Sequence, residues 1–312
     1  MQLNEPITFE PLFAERVWGG RHLESLYGKK LPAGAPIGES WEIVDRETEQ
    51  SVVAGGVLKG RTLHELWTEH RGAVFGKIKS DNPRFPLLFK LLDARDRLSV
   101  QVHPPAAVAP KLKGEPKTEM WYFADCDPGA DIFAGLKKGV TRDAFATALE
   151  EGTVEKKIHS IRVRAGDAIF IPSGRIHAIG AGNVIVEVQQ NSDTTYRVFD
   201  WNRVGLDGKP RDLHIAESLE STDFNDFEPE LAEQTGELVV ECEYFRVEKW
   251  RLESSRCAGG EGQFAIFTCI EGAVECGGTQ FKPGEFFLIP ACASGLELKP
   301  SGGAVTVLRT TI

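Results

Sequence analysis

The sequence predicts a mainly β protein of two β-barrel units with a few short helices. Three observations carry this. Short β-rich runs recur along the chain between Gly, Pro, Asn and Asp turn residues, a spacing that favours sandwiches and barrels over a doubly wound sheet. Only two segments keep helical spacing and a capping residue. A nine-residue stretch, Arg164-Ala-Gly-Asp-Ala-Ile-Phe-Ile-Pro172, is echoed by Lys282-Pro-Gly-Glu-Phe-Phe-Leu-Ile-Pro290, and internal echoes point to duplicated structural units.

Taken in order, Trp41–Val44 and Ser51–Ala54 are candidate strands, and Gly19-Gly20 and Gly55-Gly56 mark turns. Thr62 to Val74 reads as a helix. Thr62 can cap it with Glu65 three residues on, and Leu63, Leu66, Trp67 and Val74 share a face. His64 and His70 lie too far apart for the one-turn spacing of a zinc-protease helix, so both belong to the helix surface or core. Phe85–Ala94 opens a long β segment that continues into Leu98–His103. Glu119–Ala124 is the next β run, and Thr141–Glu151 is a short helix capped by Thr141. Gly166-Asp167, Ala168–Ile171, Pro172-Ser173-Gly174 and Val184–Val188 then read as turn, strand, turn, strand. Thr194–Arg203 follows. Ser221–Glu237 is acidic and β-poor, so the expected division is a larger unit over 1–237 and a smaller β unit over 238–312.

The chain has 312 residues and 41% hydrophobic content, enough for a substantial core. Its 36 Lys+Arg against 46 Asp+Glu give a net charge of −10, which argues against nucleic acid or an anionic membrane surface as partner. An anionic small substrate would need a local basic pocket. No signal peptide or apolar span is visible, and the six cysteines form no Cys-x-x-Cys pair. A cytoplasmic protein with free thiols is expected. No sequence feature fixes an oligomeric state.

The chemistry gathers around 164–190. On a strand, residues two apart share a face, so Ser99, Gln101 and His103 aim together, and Pro104-Pro105 stop that strand beside His103. Glu119 opens the next run, with Trp121 and Phe123 on its face. His177 follows the turn at 172–174. Two imidazoles and a carboxylate form a donor set for Zn²⁺ with further oxygen or water positions, and Fe²⁺ accepts the same triad. Glu187 interrupts an apolar run, where an unpaired carboxylate would be costly. It is either a general base or a structural hydrogen-bond partner, and Lys117 is the rival base if it is desolvated. Arg197 is either a functional cation or a salt-bridge partner of Asp193 or Asp200. The echo at 282–290 carries no histidine, and none occurs after His214. Only the first unit is equipped for a metal.

The spacing Gly166, five residues, Pro172, one, Gly174, two, His177 resembles the second signature of the cupin superfamily, which implies jelly-roll β-barrels. Leu98-Ser-Val-Gln-Val-His-Pro, Lys117-Thr-Glu-Met-Trp-Tyr, Gly166–His177 and Tyr196-Arg-Val-Phe-Asp-Trp, with Val17-Trp-Gly-Gly near the start, together resemble the type I mannose-6-phosphate isomerases in their short bacterial form. Gln101 in place of the first histidine of the cupin His-x-His, and the fifteen residues between His103 and Glu119, agree with that family. The resemblance implies His103, Glu119 and His177 as zinc ligands, with Gln101 a fourth ligand or a neighbour. It implies Arg197 in the active site, and Lys117 and Ser99 facing the substrate. The expected cofactor is one Zn²⁺ per chain, ahead of Fe²⁺ or Mn²⁺, and the expected partner is a small sugar phosphate.

The implied reaction interconverts mannose 6-phosphate and fructose 6-phosphate through an enediol. A metal ion can polarise the carbonyl, Arg197 can stabilise the enediolate or clamp the phosphate, and Glu187 or Lys117 must move the proton. An isomerase of another sugar phosphate, a sugar-binding or regulatory cupin without turnover, and an iron-dependent dioxygenase are the competing readings.

Overall fold

The computed structural model describes residues 3–78, 80–259 and 262–312. Its first eleven strands are β1 (Leu12–Gly20), β2 (Ile37–Ile43), β3 (Leu87–Ala94), β4 (Val100–Val102), β5 (Glu119–Cys126), β6 (Asp131–Leu136), β7 (Ile158–Arg162), β8 (Ala168–Ile171), β9 (His177–Ile179), β10 (Asn183–Gln190) and β11 (Tyr196–Phe199). They form a six-stranded sheet in the order β1-β2-β3-β10-β5-β8 and a five-stranded sheet in the order β11-β4-β9-β6-β7. The described pairings between named strands are antiparallel. A five-stranded and a four-stranded sheet follow between Leu238 and Thr311. The architecture is therefore mostly β with cupin-type barrels, as the turn-bounded runs and the echo predict.

Alternation within single strands sets the layers. On β10, Val184, Val186 and Val188 join a core with Leu288, Ile266, Val247 and Leu308 of the C-terminal sheet. Ile185 points the other way, into a core with Leu92, Leu98, Trp121 and Phe123 inside the first barrel. The six-stranded sheet is thus buried on both faces, which accounts for the nearly continuous apolar run of β10. Glu187 and Gln189 share the face of Ile185 and are the polar exceptions on it. Among the described residues, no helix is long and apolar enough to cross a membrane.

The echo has a local cause. Ala168–Ile171 and Phe286–Ile289 are both strands, and the turns before them place Gly166 and Gly284 at φ 94° and 82°, where a side chain is strained. The acid after each glycine closes its turn: Asp167 accepts from the Arg164 N–H at 3.0 Å and Glu285 from the Lys282 N–H at 2.6 Å.

Four sequence expectations need correction. The helix expected over 62–74 begins with the Thr62–Glu65 capping box but splits into Leu63–Glu69 and Arg71–Val74. His70, at φ −121° and ψ 17°, leaves the helical basin, and Gly72 gives the second piece little propensity. Phe85–His103 does not run on as one strand, because its two halves lie in different sheets as β3 and β4. The chain turns between them, with Arg95 and Asp96 donating to the Trp18 carbonyl. Ser51–Ala54 makes only isolated bridges, including Val53 to Phe9.

Gly19-Gly20 is the fourth. It ends β1 instead of turning the chain. A Cβ on Gly19 would lie 2.3 Å from the Gly38 nitrogen, so the glycine is required by close backbone approach. Gly19→Ala should lower the unfolding free energy by about 1–3 kcal/mol, read from urea denaturation. Gly55→Ala, with nothing within 4 Å of the added carbon, should lower it far less.

Candidate metal centre and active site

The two histidines are brought together by the turn between them in space. Pro104-Pro105 end β4 at His103, since proline cannot continue the ladder. Gly174, at φ 92°, donates its N–H to the His103 carbonyl at 2.8 Å, and β9 then opens on His177. Gln101 on β4 is the register partner of His177, and Arg197 on β11 is the register partner of Gln101. Arg197, Gln101 and His177 therefore stand in a row across three strands. Glu119 comes from the facing sheet, at the first residue of β5. Its approach is fixed by Lys117 N–H donating to Ser173 Oγ at 3.0 Å and Thr118 N–H to Gln190 Oε1 at 2.8 Å.

His103 Nδ1 lies 2.8 Å from the Thr194 carbonyl and His177 Nδ1 2.9 Å from the Arg175 carbonyl. A carbonyl can only accept, so each ring carries its proton on Nδ1 and turns the lone pair of Nε2 inward. The two Nε2 atoms lie 3.5 and 3.6 Å from the two oxygens of Glu119, and one donor atom from each of the three residues falls within 4.8 Å of the others. All three side chains are about 1% exposed or less. His103 Nε2 is buried without a hydrogen-bond partner, and Glu119 Oε2 has only the Lys117 ammonium beside it at 2.9 Å.

Electrostatics sharpen this. Burial drives the His177 pKa down to about 3, helped by His103. Burial and then Lys117 lower His103, against the pull of Glu119. Burial would raise Glu119, but Lys117 holds it well below the ordinary carboxylate range. Two neutral imidazole lone pairs thus face an ionised carboxylate in a dry site, an arrangement that is repulsive until a cation sits among them. The donor set fits a divalent metal ion. Gln101 Nε2 is 3.2 Å from His177 Nε2, and turning its amide over would bring Oε1 to the same place.

A second array runs from Glu119 along the six-stranded sheet. The Lys117 ammonium is 2.9 Å from Glu119 and 3.4 Å from Glu187. Lys90 is the register partner of Glu187, lies 3.9 Å from Glu39 and sits 4.6 Å above the Trp41 ring. Arg16 closes the row on Glu39 at 2.9 Å. Charge alternates at every step. Burial would depress Lys117, but Glu119 and Glu187 raise it, so it stays cationic. Burial raises Glu187 against Lys117. Burial also pushes Glu39 upward, yet Lys90 and Arg16 bring it down to about 2.

Every residue expected at the site comes to one place. Ser99, Gln101, Lys117, Glu119, Glu187 and Arg197 line a single cavity of about 560 Å³ between the two sheets, with His103 and His177 beside Glu119. His64 and His70 stay outside, His64 lying 3.2 Å from Asp45. Arg197 pairs with neither Asp193 nor Asp200. Its Nη1 donates to the Asp212 carbonyl at 2.9 Å and its Nε is buried without a partner. Sequence reasoning missed Lys90, Glu39, Arg16 and Arg211, which line the same cavity. Lys90 carried the signal that exposed Glu187, a charge inside an apolar strand (Leu87-Leu-Phe-Lys-Leu-Leu).

Residues 7–125 match the family model for the phosphomannose isomerase type I catalytic domain, and residues 234–308 match that for the mannose-6-phosphate isomerase cupin domain. The chain is 40% identical to mannose-6-phosphate isomerase ManA of Bacillus subtilis, over 92% of this chain and 93% of the relative. It is 36% identical to a mannose-6-phosphate isomerase of Streptococcus mutans, over 92% of each. The crystal structure of the mannose 6-phosphate isomerase from Bacillus subtilis superposes with a TM-score of 0.88 at 34% identity, covering 99% of this chain and 100% of that one.

The protonation states have a measurable consequence. Between pH 6.5, the ordinary histidine value, and about 3, the unfolded chain binds a proton at position 177 that the folded chain does not. Stability present above pH 6.5 should therefore be lost as the pH falls through this window. The lowered Glu119 adds a loss of the same sign further down. Metal-free protein should show a lower urea midpoint at pH 5 than at pH 7, with a smaller drop in His177→Gln. Equal midpoints in the wild type would contradict a neutral buried imidazole.

Proposed function

The chain belongs to the type I mannose-6-phosphate isomerases, and from that premise we propose how its cavity interconverts D-mannose 6-phosphate and D-fructose 6-phosphate. The reaction moves a proton between C2 and C1 of the open-chain sugar through an enediol. The observation that carries the reading is the buried set of converging donors, His103, Glu119 and His177, beside a cavity that also holds a buried carboxylate and a guanidinium without an ion pair.

His103, Glu119 and His177 would hold the ion, with Gln101 as fourth ligand or as the group that orients His177. Two imidazoles and one carboxylate favour zinc over magnesium or calcium, which prefer oxygen donors. When bound, the ion supplies Lewis-acid polarisation of the substrate's carbonyl and neighbouring hydroxyl oxygens.

Glu187 is the proton carrier. Burial raises its pKa towards the range useful at neutral pH, while Lys117 at 3.4 Å keeps it available as a carboxylate. Lys117 itself, held between two carboxylates, stays protonated and is poorly suited to accept a proton. Its role is to bridge Glu119 and Glu187 and to offer hydrogen bonds to sugar hydroxyls. Arg197, one strand further from the histidines than Gln101, brings a permanent positive charge to the outer part of the cavity. Ser99 faces the same space and can bond a hydroxyl.

Purified protein should convert mannose 6-phosphate in a coupled assay, lose turnover on chelation, and regain it most fully with Zn²⁺ and without oxygen consumption. Metal-replete protein that turns over no mannose 6-phosphate would contradict the reading. Glu187→Gln should lower kcat by about 10²–10⁴ while metal content and KM stay within a few fold. Unchanged kcat would transfer the role to another group. His177→Ala should lose bound metal, measured by elemental analysis, together with activity.

A further inference from the structure

The two ends of the cavity differ in how their cations are used. At the inner end each is committed to carboxylates, Lys117 to Glu119 and Glu187, and Lys90 and Arg16 to Glu39. Beyond β11, at the outer end, three arginines gather around the single carboxylate of Asp200. Arg203 is held between two carboxylates. Its Nε and Nη2 lie 3.0 and 2.9 Å from Asp200 Oδ1, and its Nη1 reaches Asp96 at 3.2 Å and the Arg97 carbonyl. The ion-paired acids here, Asp96 and Asp200, supply two carboxylates against the three guanidiniums of Arg197, Arg203 and Arg211, which leaves one positive charge in excess.

Arg211 keeps part of its fork free. It grips Asp200 with two of its three nitrogens, Nε to Oδ2 and Nη2 to Oδ1, both at 2.6 Å. Its Nη1 makes no hydrogen bond among the described residues, and the side chain lines the cavity. Arg197 lines it too, with a buried, partnerless Nε. Asp193 and Asp207 are the acids at this end of the cavity, and neither forms an ion pair with Arg197 or Arg211 among the described residues. Crowding is felt at Arg197, whose pKa is lowered by burial and then by Arg211. A dianion would relieve it.

Position agrees with charge. Arg197, Gln101 and His177 occupy adjacent strands in register, so the Arg197 backbone stands roughly 10 Å from that of His177 at the usual strand spacing. Arg211 lies past it, outside the edge strand. A hexose 6-phosphate carries its reacting carbonyl and its phosphate at opposite ends of the carbon chain, as the metal-ligand cluster and the arginines stand at opposite ends of the cavity.

We propose that Arg211, through Nη1 and with the Nε of Arg197, binds the phosphate of the substrate, and that Asp200 is the bracket that aims it. This rests on the isomerase reading. A guanidinium already held by two hydrogen bonds loses little freedom when it takes up the phosphate. Because the phosphate does not change during the reaction, this contact acts on binding.

The test is a KM-against-kcat comparison on zinc-loaded protein, with inorganic phosphate as a competing ligand. Arg211→Ala should raise KM for mannose 6-phosphate about 10- to 100-fold, weaken competitive inhibition by inorganic phosphate by a similar factor, and leave kcat within about threefold, the size expected for one charge-assisted contact. Arg211→Lys should fall between, since it keeps the charge and loses the fork. Arg203→Ala, which also frees Asp200 of a partner, should leave KM and phosphate inhibition near wild type. An Arg211→Ala protein with unchanged KM and phosphate inhibition would overturn the assignment while leaving the isomerase reading intact. Equal losses in Arg211→Ala and Arg203→Ala would also overturn it, by showing that Asp200 matters only as scaffold. If the wild type shows no turnover, the isomerase reading falls, and inorganic phosphate binding by calorimetry decides the Arg211 assignment alone. Binding weakened in Arg211→Ala supports it, and binding unchanged overturns it.

Discussion

The site depends on one electrostatic conflict. Glu119 is an ionised, fully buried carboxylate whose oxygens face two imidazole lone pairs at about 3.5 Å. Burying a charge is costly unless it is paired and hydrogen-bonded. Lys117 meets part of that cost at 2.9 Å, and the backbone carbonyls that fix the Nδ1 protons prevent the imidazoles from meeting the rest. What remains is a pocket of converging donors that gains most by taking up a cation. Lys117 then needs Glu187, Glu187 faces Lys90, and the alternation runs on through Glu39 to Arg16. The charges form one array across the six-stranded sheet, in which Lys117 is shared by Glu119 and Glu187 and Glu39 by Lys90 and Arg16.

That array is affordable because of the layers around it. One face of the sheet packs on the C-terminal unit through Val184, Val186 and Val188, so the strands carrying Lys90, Glu187 and Glu119 are held rigidly from behind. Preorganised polar groups in a water-poor cavity are worth more to a reaction than the same groups in solvent. The C-terminal unit, with its echo of the 164–172 turn and no histidine, contributes this backing.

Much of the metal cluster was legible in the sequence because its signals are local. Pro104-Pro105 stop the strand at His103, the Gly174 turn precedes His177, and Glu119 opens a β run. The fold class was legible for the same reason, through turn residues and the duplicated Gly-acid turn. What sequence could not supply was pairing between distant strands. Lys90 faces Glu187 across almost a hundred residues of chain, and Arg16 reaches Glu39 from another strand again. Arg211 was missed because it stands in an irregular segment with no periodicity, its role visible only once Asp200 and Arg203 are beside it. Gly19 and His70 were misread because close backbone approach and a single non-helical residue leave no compositional mark.

The most direct test of the central claim is X-ray absorption spectroscopy at the zinc edge of the zinc-loaded protein. The account predicts a nitrogen and oxygen shell with two imidazoles, falling to one imidazole in His103→Ala or His177→Ala. A shell containing sulfur, or one unchanged by removal of either histidine, would contradict it.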